Sequence, residues 1–147
     1  MLTELTVKGL LAETAGDAPV PGGGSISALN GAIAAALAEM VANLTIGKKK
    51  YADVQDEMAE IAKSAAALQK ELVLDVDRDS EAYDGVSQAF KLPKETDEEK
   101  AIRSAAIQEN TKKAALVPME VARRASALLP SIEAVVARGN QNAVTDG

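Results

Sequence analysis

"PGGGSISALNGAIAAALAEMVANLTIGKKKY", residues 21–51, is the stretch on which the fold turns. Pro21 and the glycines Gly22, Gly23 and Gly24 interrupt any preceding helix. Ser25 is placed to cap a new one, which runs to about Ile46, and Gly47 stops it. That helix is small or apolar on nearly every face, so it has to be covered all round. Its alanines let neighbouring helices approach closely, which favours a helical bundle over a sandwich. A chain of 147 residues has few elements to supply the cover, so a homo-oligomer is expected. The same run is long enough to cross a membrane. However, it is mostly alanine and carries Asn30, Glu39 and Asn43, so a buried helix is expected and no membrane partner.

Working outward, helices are predicted nearly throughout. The first spans about Thr3 to Thr14, with Thr3 as its cap. A third begins near Tyr51 or Asp53 and reaches Phe90. Its stripe is Val54, Met58, Ile61, Ala65, Leu68 and Leu72, at spacings of three and four. In "KLPKETDEEK", residues 91–100, Pro93 ends that helix, and Thr96 with Glu99 makes the capping box of the next. This fourth helix should turn Ile102, Ala106, Val117, Val121 and Leu128 inward. Pro118 should kink it near Ala114, and Pro130 should open a short last helix ending at Gly139. The tail "GNQNAVTDG", residues 139–147, carries no evident cap or apolar anchor. The expected architecture is all-α: one domain over 1–147, an up-down bundle of long helices.

Composition narrows the chemistry. The formal net charge of −6 and 2% aromatic content argue against a nucleic-acid groove. With no cysteine and no histidine, thiolate nucleophiles, Ser-His-Asp arrangements and the usual zinc ligands are all excluded. Proton transfer falls to Asp, Glu, Lys or Tyr. The N-terminus does not read as a signal peptide, so a cytoplasmic location is expected.

One acidic run interrupts the third helix: "VLDVDRDSEAYDGV", residues 73–86. As a calcium loop starting at Asp75 it would need Gly and Glu where Ser80 and Val86 stand, so that reading fails. As a solvated run it suits Asp77, Glu81 and Asp84, which face away from the apolar stripe. Asp79 does not fit. It lies on the track Val76, Asp79, Tyr83, Val86, Phe90, where an apolar residue is expected. A carboxylate on such a seam is a candidate proton shuttle. Alternatively it pairs with a neighbouring Lys or Arg, or bonds a helix end. The glycine segment Gly22–Ser25 opens a helix with bare backbone N–H groups, which suits an anion or a flat ligand. It lacks the G-K-[ST] ending of a P-loop, and no strand precedes it, as a dinucleotide fingerprint requires.

"PVPGGGSISALNGAIAAALAEMVANLTIGKKKY", "DRDSEAYDGVSQAFKLPKETDEEK" and "GNQNAVTDG" together resemble the formiminotransferase-cyclodeaminase C-terminal domain family over essentially the whole chain. The resemblance implies an all-helical homodimer of folate one-carbon metabolism. The implied activity is a cyclodeaminase, which closes N5-formimino-tetrahydrofolate to 5,10-methenyl-tetrahydrofolate and releases ammonia. The alternatives are a methenyltetrahydrofolate cyclohydrolase or a non-catalytic, dimeric folate-binding module. By resemblance Asp79 is the acid/base residue, and Asp77, the first aspartate of D-x-D, borders the substrate. Pro21, Gly22, Gly23, Gly24 and Ser25 would line the folate. Lys48, Lys49 and Lys50 would attract its glutamate carboxylates. Asn140, Asn142 and Asp146 are site candidates by resemblance alone. No metal and no cofactor besides the folate substrate is required, because one carboxylate can serve as base and then acid. Family members continue past the N-x-A-x-[ST]-D segment with further helices, which this chain, ending at Gly147, is expected to lack.

Overall fold

The computed structural model describes residues 1–147, and every regular element in it is helical. A 3-10 turn (Leu2–Glu4) precedes α1 (Val7–Thr14) and α2 (Gly23–Thr45). A second 3-10 segment (Lys49–Val54) leads into α3 (Gln55–Phe90). The chain then forms α4 (Asp97–Arg138) and a last 3-10 turn (Gln141–Asp146). It divides into two compact units. Met1–Ala28 with Leu74–Val121 form the first, and Leu29–Val73 with Ala122–Gly147 form the second. Each of the three long helices contributes a segment to both.

The second unit holds the larger apolar core. Val41, Ala42, Tyr51, Val54, Met58, Ile61, Val135 and Ala143 form one cluster. Ala35, Ala38, Ala65 and Leu128 form another, with Leu68 and Ile132 against it. The third-helix stripe read from spacing is therefore the one that is buried. In α2 the buried positions include Ala32, Ala35, Ala38, Val41 and Thr45, following the helical period. Its opposite face leaves Ile33, Leu37, Met40 and Leu44 exposed. By length and composition α2 could cross a membrane, yet 39% of that stretch is buried inside the protein.

The N-terminus of α4 carries the expected capping box. Glu99 Oε2 accepts from the Thr96 backbone N–H at 3.1 Å, and Thr96 Oγ1 accepts from the Glu99 N–H at 3.1 Å. The helix then runs unbroken through Pro118 and Pro130, so Pro130 opens no separate helix. A proline removes one N–H, and Leu128 and Val135, both buried, hold the helix across it. Ile102 is 58% exposed rather than inward. The side of α4 that meets Phe90 instead presents Arg103, whose guanidinium donates to the Phe90 carbonyl.

Three caps differ from expectation. The Thr3 hydroxyl donates to Asp77, so α1 starts later and Thr6 caps it, accepting from the Gly9 N–H at 3.1 Å. Ser25 lies inside α2, which begins at Gly23, and the Gly22 carbonyl accepts its first bond, from the Ile26 N–H. The tail is anchored after all. Asn140 caps its 3-10 turn, and Ala143 enters the core.

Candidate active site

The acidic run of α3 and the glycine start of α2 meet in the first unit. Ser25 Oγ donates to Asp79 Oδ2 at 3.1 Å. The carboxylate lies so close to Gly24 that a Cβ there would overlap all three of its atoms. Only glycine leaves that space, which explains one of the three glycines by packing. The first-turn N–H groups of α2 have no partner inside the helix and carry its positive end. Asp79 therefore sits half-buried against a positive backbone terminus, held by one hydroxyl. Of the two non-catalytic readings left open for this residue, the geometry contains a bond at a helix end, made by the hydroxyl of a first-turn residue of α2.

Beside this carboxylate is a cavity of about 490 Å³, lined by Pro19, Val20, Gly22, Gly23, Gly24, Asp79, Tyr83, Ala114 and Pro118. That volume falls in the range of small-molecule sites, about 300–1,000 Å³. Tyr83 is one turn beyond Asp79 on α3 and 43% exposed, so its ring is open to a ligand. The seam track through Val76, Asp79 and Tyr83 thus opens into a cavity instead of closing as core.

Asp77 is not on the wet side of α3. It is 6% exposed, and its carboxylate is taken up by the N-terminal turn. Oδ1 accepts from the backbone N–H groups of Leu2 and Thr3, and Oδ2 from the Thr3 hydroxyl at 2.6 Å. Helix phase missed this because a segment distant in sequence folds over that face. Asp77 and the buried Pro21 line a second cavity of about 410 Å³, with Met1, Leu2 and Leu5. Asp75 is 2% exposed and pairs with Arg78 at 3.1 Å. Glu81 and Asp84 are exposed, as their phase predicts. Gly85 is explained by α4, since a Cβ there would meet the Asn110 side chain at 2.7 Å.

The remaining sequence candidates belong to the second unit and do not line the 490 Å³ cavity. Lys48, Lys49 and Lys50 are exposed, with Lys50 5.3 Å from the Tyr51 ring centre. Asn140 is buried and structural. Its N–H donates to Thr45 Oγ1 at 2.9 Å, its side-chain amide donates to the Leu44 carbonyl, and its Oδ1 accepts from the Asn142 N–H. The side chains of Asn142 and Asp146 are exposed. The Tyr51 hydroxyl accepts from the Gln141 N–H at 3.0 Å. That donor holds the phenol below its ordinary pKa, with Lys50 and Lys48 adding to the pull and burial opposing it. Sequence reasoning missed Tyr83, Ala114 and Pro118 as cavity residues. The only available signal was that Tyr83 shares the track of Asp79.

Fold and site define a helical protein in which the Asp79 carboxylate, seated on a glycine-rich helix start, borders a ligand-sized cavity. The chain belongs to the formiminotransferase-cyclodeaminase family, whose pattern matches residues 6–147. It is similar to the methenyltetrahydrofolate cyclohydrolase of Methylorubrum extorquens, 43% identical over 96% of this chain and 68% of that protein. It is similar as well to the formimidoyltransferase-cyclodeaminase of Mus musculus, 32% identical over 99% of this chain but only 27% of that protein. Among solved structures, formiminotetrahydrofolate cyclodeaminase from Thermotoga maritima superposes with a TM-score of 0.84. It is 35% identical, over 99% of this chain and 69% of that one.

Proposed function

We propose that this chain is an acid–base catalyst of the one-carbon bridge between N5 and N10 of tetrahydrofolate, with Asp79 as the proton carrier. The observation that carries the reading is the Asp79 carboxylate, fixed by Ser25 and Gly24 at the edge of the 490 Å³ cavity. The first reaction is hydrolysis of the 5,10-methenyl bridge, supported by the 43% identical cyclohydrolase. Water adds to the bridge carbon while Asp79 accepts its proton. The N5–carbon bond then breaks: Asp79 returns the proton to N5 while the hydroxyl on the bridge carbon loses its remaining proton to solvent, leaving the 10-formyl form. The second reading is cyclodeamination, supported by the solved cyclodeaminase. In it N10 attacks the carbon of the protonated formimino group, Asp79 takes the N10 proton and delivers it to the amino nitrogen so formed, and that nitrogen leaves as ammonia as the methenyl bridge closes. Both need one carboxylate acting twice.

In this reading Gly22, Gly23 and Gly24 offer backbone donors to the substrate, and Tyr83 offers a flat face. Lys48, Lys49 and Lys50 attract glutamate carboxylates at long range. A homodimer is part of the proposal, because the exposed stripe Ile33, Leu37, Met40 and Leu44 keeps helical spacing on one side of α2. Sedimentation should give a particle of two chains, and Leu37→Glu should yield single chains.

The test is to assay the purified chain for loss of the methenyl chromophore and, separately, for ammonia released from formimino-tetrahydrofolate. Turnover in the first assay alone supports the hydrolase, and in the second alone the deaminase. Folate binding with neither turnover would make the chain the non-catalytic module.

A further inference from the structure

The α4 wall of the cavity holds a proline inside a continuous helix. α4 runs from Asp97 to Arg138 through both Pro118 and Pro130. A proline has no N–H, so the carbonyl four residues earlier loses its helical donor, and the ring crowds that carbonyl outward. For Pro118 the carbonyl is that of Ala114. Ala114 and Pro118 both line the 490 Å³ cavity, with Asp79, Tyr83 and the glycine start of α2. For Pro130 the corresponding carbonyl is that of Ser126, and neither residue lines this cavity.

A backbone carbonyl deprived of its helical donor takes another partner, from backbone, a side chain or water, and one that borders a cavity is open to a ligand. The other polar groups around this cavity include the Asp79 carboxylate, committed in part to Ser25, the Tyr83 hydroxyl and the backbone of the glycine segment. We infer that the Ala114 carbonyl is a substrate-binding acceptor, made available by Pro118, and that it takes an N–H of the bound folate. Pro118 is thus a positioning residue acting through Ala114. An interior proline weakens a helix, and placing it where the freed acceptor meets a ligand gives that weakening a use. The ligand chemistry selected is a planar nitrogen heterocycle with an amino or ring N–H on one edge, lying against the Tyr83 ring. The inference rests on the folate reading for the identity of that heterocycle.

The experiment compares Pro118→Ala with Pro130→Ala in the full chain. Each restores one helical N–H, so each should raise the melting temperature. In Pro118→Ala the new N–H occupies the Ala114 carbonyl. The dissociation constant for tetrahydrofolate and the KM for the methenyl substrate should then rise about tenfold, the loss of one hydrogen bond. The kcat should change by less than about twofold. Pro130→Ala should leave both constants alone. A more stable Pro118→Ala enzyme with unchanged binding sinks this inference and leaves the folate reading standing. Equal loss of binding in both variants sinks it too, because the effect would then belong to the helix and not to the carbonyl. A wild-type chain that binds no folate removes the functional reading and this inference together.

Discussion

The two compact units are cut from the same three long helices, yet they spend their buried polar groups differently. In the second unit buried polar side chains tie backbone to backbone. Thr45 accepts from the Asn140 N–H, Asn140 donates to the Leu44 carbonyl, and Tyr51 accepts from the Gln141 N–H. These bonds fix the tail beside a packed core of Val41, Met58 and Val135. In the first unit the buried polar groups are the Ser25 hydroxyl and the carboxylates of Asp75 and Asp77, with Asp79 half-buried, and Asp77 and Asp79 each border a cavity. Charges taken out of water cost stability unless bonded. Asp77 is compensated by the N-terminal turn, and Asp75 by Arg78. Asp79 has Ser25 and the α2 terminus, and one side left to a ligand. The lesson is that the apolar stripe of α3 gives way to carboxylates in the first unit, and there burial depends on segments that helix phase does not see, as Asp77 shows.

This contrast can be broken by mutation. The largest effect is expected from Asp79→Asn, which keeps the shape and removes the proton carrier. Turnover should fall by about 10²–10⁴-fold while folate binding, measured by titration, persists. Unchanged turnover would remove Asp79 from the chemistry. Next is Gly24→Ala. Its Cβ must displace the Asp79 carboxylate, so turnover should drop by about tenfold or more with the circular-dichroism spectrum retained. A fully active Gly24→Ala would mean the carboxylate moves freely and the close approach is unimportant.

A smaller effect should come from Asp77→Ala, which leaves the Leu2 and Thr3 donors without their acceptor. A loss of about 1–3 kcal/mol in urea unfolding is expected, with proteolysis starting at the N-terminus. Asn140→Ala sharpens the comparison from the other side. Stability should fall by a similar amount, about 1–3 kcal/mol, while kcat/KM of the folded protein stays within about twofold. Intact stability with lost folate binding would instead make Asn140 a substrate contact. The smallest effect concerns Tyr51, whose phenol is held below its ordinary pKa by the Gln141 N–H and by Lys50 and Lys48. Since the folded value is the depressed one, the phenolate adds stability as pH rises through it and none at lower pH. Ultraviolet titration should show an early phenolate component that Tyr51→Phe abolishes.

The all-α class was legible because the signals are local. An apolar period of three to four, glycine and proline punctuation, and the Thr96–Glu99 box each act within a few residues. Asp79 was legible for the same reason: it breaks a periodic track on its own helix. What only the tertiary structure decided depends on segments far apart in sequence. Asp77 is buried because the N-terminal turn covers it, and Ser25 leaves the capping role because Asp79 claims its hydroxyl. Asn140 serves the core because Thr45 and Leu44 come to meet it. Pro118 joins the site because α4 passes beside the glycine start of α2 in the first unit. The sequence by itself determined the all-helical class, the approximate spans of α2 and α3, the start of α4 and which carboxylate stands out. Long-range packing decided which polar groups are consumed in holding the chain together and that the Asp79 carboxylate is left beside a cavity.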